Sequence, residues 1–244
     1  MIVRGLFLLL FLAAAAAGAQ RNPAAAPGAI DEDAKCVAVL AGLAGMMERR
    51  GAQLNAEERQ RLLMLRYAVQ FYGGRLGARF PGEAGGAVML ATQRAFPPSA
   101  VAEAIAPCLT GYLDAMRAFD EEVQQAAPLA NGTSPLDATA TAAGGDSQVL
   151  CFVVVRQVMN SVARREAELS PAVREALPNL RGAVPFYAGR ILGRYPSGAR
   201  GPAVAAAFRL WPRDRTEAIM GACLADVGAQ FQILAAAARQ MARP

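Results

Sequence analysis

The chain has 244 residues, 54% hydrophobic and 18% charged, with a formal net charge of +5; this suits one large or two small globular domains and is too apolar for a disordered chain. It contains no histidine, so Ser-His-Asp and Cys-His nucleophilic sites, histidine-ligated zinc or haem, and HExxH proteases are excluded. Lys35 is the only lysine; the excess of arginine is either a composition bias or a selection for bidentate recognition of phosphate and carboxylate, and composition alone does not separate the two.

Residues 1–19 read as a secretory signal peptide: a basic start at Arg4, an apolar run from Leu6 to Ala17, and the small-residue site Ala17-Gly18-Ala19. Cleavage is expected after Ala19, leaving residues 20–30 as a disordered N-terminal segment and a mature chain of net charge +4 (+5 less Arg4). The run is shorter than the roughly 20 residues that span a bilayer, and no later stretch is long and uncharged enough, so no transmembrane helix is expected in the mature protein. The destination is the periplasm or the cell exterior. Export and the mild positive charge argue against nucleic acid and favour anionic envelope surfaces.

The strongest signal is an internal repeat. Cysteines fall at 36, 108, 151 and 223, a spacing of 72 within each pair and a shift of 115 between pairs. With that shift and no gap, residues 36–119 match 151–234 at 25 of 84 positions. Phe71-Tyr72-Gly73-Gly74-Arg75 falls on Phe186-Tyr187-Ala188-Gly189-Arg190, and Phe96-Pro97 on Trp211-Pro212. The predicted organisation is all-α: helical module 1 over 31–119, a flexible linker over 120–145, helical module 2 over 146–234 and a C-terminal tail over 235–244.

Each module reads as four helices. The first follows an aspartate N-cap, Asp31 or Asp146, and carries Cys36, Leu40, Leu43 and Met47 at helical spacing. In module 2 the matching stretch Val149–Val155 is β-branched enough to resemble a strand, but the gapless match to a helical pattern overrides that propensity. Asn55 with Glu58 forms a capping box for the second helix, and Ser170-Pro171 supplies the corresponding start. That helix is expected to end near Pro81 or Pro196. An alanine-rich third helix runs to Phe96 or Trp211. The fourth is expected to open at Ser99 or Asp214 and to bury Cys108 or Cys223. In an exported protein the repeat selects the pairings Cys36–Cys108 and Cys151–Cys223, each stapling one module.

Tyr72, Arg75 and Arg79, matched by Tyr187, Arg190 and Arg194, share one helix face at spacings i, i+3 and i+7. They are the candidate binding residues. Two guanidiniums and a phenol suit a carboxylate or phosphate, and they equally suit carbonyls and acids inside the module. Gly74 and Gly189 within the same helices point to close helix packing, since glycine there costs about 1 kcal/mol relative to alanine. Apart from Asp31 and Asp146, no acid of one module falls on an acid of the other, so no duplicated acid/base pair is present. Module 2 carries a net +4 against +1 for module 1, with −4 in the linker. The expectation is an exported, non-enzymatic repeat protein without cofactor or metal, binding an anionic envelope component or protein. The alternative is an enzyme with a carboxylate-based site in one module acting on an envelope polymer.

Overall fold

The computed structural model describes residues 30–132, 138–165, 169 and 171–241. The expected signal peptide and cleavage site, residues 20–29, the Ser170 cap and residues 242–244 lie outside the described residues. Within them the chain is all helix: α1 (Glu32–Arg50), α2 (Ala56–Arg79), α3 (Glu83–Ala95), α4 (Val101–Gln125), α5 (Ala127–Asn131), α6 (Ala138–Gly144), α7 (Ser147–Ala163), α8 (Pro171–Arg194), α9 (Arg200–Leu210) and α10 (Thr216–Met241).

The helices of the two halves correspond in order and in their bounds. Shifting α2 by 115 residues gives the bounds of α8, and a short 3₁₀ turn precedes both α4 and α10. The Asp31 carboxylate accepts from the Ala34 amide and that of Asp146 from the Gln148 amide, each capping its helix. Asn55 and Glu58 exchange the two hydrogen bonds of a capping box, both 2.9 Å. The valine run of module 2 is helical and almost wholly buried, because burial against α8 and α9 outweighs its strand propensity. Disulfides join Cys36 to Cys108 and Cys151 to Cys223, with Cα atoms 5.5 and 5.6 Å apart.

Ser99 and Asp214 do not cap the fourth helices. Pro98-Ser99-Ala100 and Arg213-Asp214-Arg215 form the 3₁₀ turns, so α4 starts at Val101 and α10 at Thr216 without a side-chain cap on α4. The connector carries more helix than its composition suggests. Residues 120–125 continue α4, α5 and α6 follow, and α5 and α6 lie against α9 with Ala126 and Ala140 buried. The fourth helix of module 2 likewise continues past 234 to Met241.

The two copies pack intimately along a pseudo-twofold seam, where α2 crosses α8. Both helices carry a small residue four positions after the key glycine, Gly74 with Ala78 and Gly189 with Gly193. A Cβ built on Gly74 would fall on the Phe186 carbonyl oxygen and lie 3.0 Å from its carbon; one on Gly189 would meet Phe71 in the same way, also 3.0 Å from the carbon. Only glycine permits this backbone approach. The third helices do not pair with each other: α3 lies against α10 and α9 against α4, so each copy docks its third helix on the other's last. Ala84 and Ala91 are exposed while Ala206 is buried. Two apolar clusters result, centred on Phe71 and Phe186, and Met116, Leu192 and Phe231 pack against both.

Candidate functional site

The Tyr-Arg-Arg face is built the same way twice. The Tyr72 hydroxyl donates to the Cys108 carbonyl and that of Tyr187 to the Cys223 carbonyl, both at 2.7 Å. Each phenol thus ties the second helix of its module to the fourth beside the disulfide. Burial, reinforced by the Asp33 charge, pushes the Tyr72 phenol up to about 12, and burial with Asp226 nearby raises Tyr187 as well.

Arg79 donates to both oxygens of Asp31, at 2.8 and 2.9 Å, and to Asp33 at 2.7 Å. Arg194 pairs with Asp146 at 2.8 Å. The N-cap aspartate of each first helix therefore also anchors the last turn of the second. Burial works to raise the Asp31 carboxyl, but hydrogen bonds from Arg79 and the Ala34 amide outweigh it and hold the group below the usual range. Asp33, almost fully buried, goes the other way: burial raises it despite Arg75 and Arg79.

The middle arginines reveal an exchange of partners. Arg75 Nε lies 3.4 Å from Asp33 on α1. Arg190 donates to Gln148, at 2.8 Å, and lies 3.6 Å from Asp226 on α10. Gln148 is the counterpart of Asp33 and Gly111 that of Asp226. Each copy supplies one acid to its middle arginine, from a different helix. These partners, absent from the sequence-derived candidates, were missed because acids were matched position by position; the signal was an acid lost at 148 beside one gained at 226.

Three of the six candidates come together at the seam. A cleft of about 950 Å³ opens where the C-terminal ends of α2 and α8 meet the start of α7, and its lining includes Arg79, Arg190, Arg194, Tyr195, Gln148 and Asp146. The segment Thr141–Ala143 of α6 and Gly145 close one side. Arg79 comes from one copy and Arg190 and Arg194 from the other. Arg79 and Arg190 are largely buried, whereas the Arg194 side chain is 57% exposed and gives a single nitrogen to Asp146. The cleft can therefore present guanidinium donors, chiefly from Arg194, to an anionic group. Tyr72 and Tyr187 are spent within the fold, and Arg75 faces Asp33 away from the cleft lining.

Comparison with protein-family models, with curated proteins and with solved structures returned no match. Among the described residues no helix is long and apolar enough to cross a membrane.

Proposed function

We propose that this is an exported, non-enzymatic helical repeat protein that binds an anionic envelope component through the seam cleft. The observation that carries the reading is the convergence of Arg79, Arg190 and Arg194, from both copies, on a cleft whose lining holds one carboxylate, Asp146. Disulfide pairing within each copy agrees with an oxidising compartment. The alternative, a carboxylate-based enzyme, needs two acids facing one cavity. Five cavities among the described residues are each lined by at most one acid, Glu48, Asp146 or Glu122, which supports the binding reading.

The test is to immobilise the mature chain and its Arg194→Gln variant, expose both to solubilised envelope, and identify the retained material by mass spectrometry. An anionic component held by the parent and released by the variant, with helical circular dichroism unchanged, supports the reading. Equal retention by both chains overturns the assignment to the cleft.

A further inference from the structure

The two copies act as controls for each other. The groups they share are accounted for by caps, disulfides and the seam, so a place where matched positions diverge together toward one chemistry calls for another explanation. Such a place lies where the end of α7 meets the 3₁₀ turn before α10, at a cavity of about 600 Å³ separate from the seam cleft.

Its lining includes Gln157, Ser161, Arg164, Arg165, Trp211 and Arg213, and no carboxylate among the described residues. Where copy 1 has Gly42, Met46, Phe96 and Pro98, copy 2 has Gln157, Ser161, Trp211 and Arg213. Arg164 and Arg165 match Arg49 and Arg50, but their setting differs. In copy 1 Arg50 is paired with Glu58 at 2.7 Å. The position matching Glu58 is Val173. Copy 2 has thus gained a guanidinium, and the acid that pairs with Arg50 in copy 1 has no counterpart at position 173. Among the described residues Arg164, Arg165 and Arg213 make no ion pair, whereas in the same copy Arg156, Arg190, Arg194 and Arg200 all do. Glu166 and Glu168, which follow in sequence, lie outside the described residues.

The aromatic floor is equally particular to copy 2. Trp211 is 8% exposed, lines the cavity, and its indole Nε1 has no hydrogen-bond partner. The Arg213 guanidinium carbon sits 3.7 Å from the Trp211 ring centroid and 4.6 Å from that of Phe208. Stacking holds the guanidinium flat and leaves its N–H edges uncommitted, which lowers the ordering cost of a bidentate contact.

We propose that this cavity is a second binding site, for a phosphate-type oxyanion. Three guanidiniums without an ion pair among the described residues exceed what a single carboxylate would match and suit a multiply charged group with several acceptor oxygens. The same chemistry is offered by a free phosphate compound and by a phospholipid headgroup, and the experiment separates these sources.

Trp211 is the only tryptophan in the chain, so its fluorescence reports on this cavity alone. The mature full-length protein is titrated with inorganic pyrophosphate, and separately with phosphatidylglycerol vesicles against phosphatidylcholine vesicles. A saturable change in emission with pyrophosphate identifies a free phosphate ligand; a change confined to phosphatidylglycerol vesicles identifies the headgroup. In either arm Arg213→Gln should weaken binding about tenfold, as expected for loss of charge-assisted hydrogen bonds. The Arg164→Gln/Arg165→Gln double variant should do the same, which keeps the test valid if one variant folds poorly. Arg194→Gln, at the seam, should leave the titration unchanged, so failure of this site and failure of the cleft are told apart. No saturable change with either probe, or a response indifferent to Arg213→Gln and to the double variant, overturns the proposal.

Discussion

Replacing either seam glycine by alanine should destabilise the whole protein, although alanine is the better helix former. A methyl group on Gly74 would land on the Phe186 carbonyl, and one on Gly189 on the Phe71 carbonyl, with the amide nitrogens of Arg190 and Arg75 only 3.3 and 3.1 Å away. These neighbours are main-chain atoms of a packed helix, so the two helices must move apart. Overpacking of this kind costs about 1–3 kcal/mol or more, against a propensity gain of about 1 kcal/mol. The net loss should lower Tm by several degrees, since about 1 kcal/mol moves a chain of this size by roughly 2–4 °C. Gly42 and Gly221 provide the opposite case: both lie inside helices with open space around the built Cβ, so Gly42→Ala and Gly221→Ala should raise Tm. Thermal melts of the four variants, followed by circular dichroism on oxidised protein, check the reasoning. If Gly74→Ala and Gly189→Ala also raise Tm, α2 and α8 do not cross as closely as the seam requires.

Two further outcomes are expected. Non-reducing peptide mapping of protein purified without reductant should recover Cys36 linked to Cys108 and Cys151 to Cys223, and reduction should cost each copy about 4 kcal/mol in the chain-entropy account of a loop of 72 residues. Asp33→Asn should be best tolerated, relative to the parent, near neutral pH: a carboxyl raised above its ordinary value of 3.8 weakens the fold when ionised and regains that stability as pH falls through its folded value. Asp31, lowered in the fold, contributes stability that is complete above 3.8 and is lost as pH drops through its folded value. Urea melts at about pH 7 and about pH 3.5 should show the Asp33→Asn penalty growing with acid and the Asp31→Asn penalty shrinking.

Much of the architecture could be read from spacing, because spacing records which faces are buried. The cysteine intervals, the Asp31 and Asp146 caps and the glycines at 74 and 189 each impose a geometric demand that few other residues satisfy. The docking of α3 on α10 and α9 on α4 left no comparable trace. These faces are rich in alanine and glycine, whose burial adds little hydrophobic contrast along a helix, so periodicity does not say which neighbour they meet. The same holds for Ala126 and Ala140 in the connector, which are buried despite a composition typical of linkers. Of the candidate site, the arginines were legible and their convergence was not. Arg79 and Arg194 share a cleft because the seam brings the C-terminal ends of α2 and α8 together, a tertiary fact that neither copy encodes alone.

The exchanged acids at Arg75 and Arg190 bear on how such a duplicated site evolves. A partly buried guanidinium is favoured by an opposite charge nearby, but charge neutrality constrains the sum within a few ångströms rather than any one position. Asp33 meets that need from α1 in one copy and Asp226 from α10 in the other. Substituting one copy's solution into the other half-way, as in Gln148→Asp with Asp226 retained, would place two acids around Arg190, with the Tyr187 hydroxyl only 3.1 Å from Asp226. The consequence for function follows from the same balance. Arg79, bonded to Asp31 and Asp33, and Arg190, bonded to Gln148 beside Asp226, are held in place and supply the fixed part of the cleft's positive charge. Arg194 touches the single, N-capping Asp146 and stays open to solvent, which makes it the guanidinium best able to exchange an internal contact for an incoming anion.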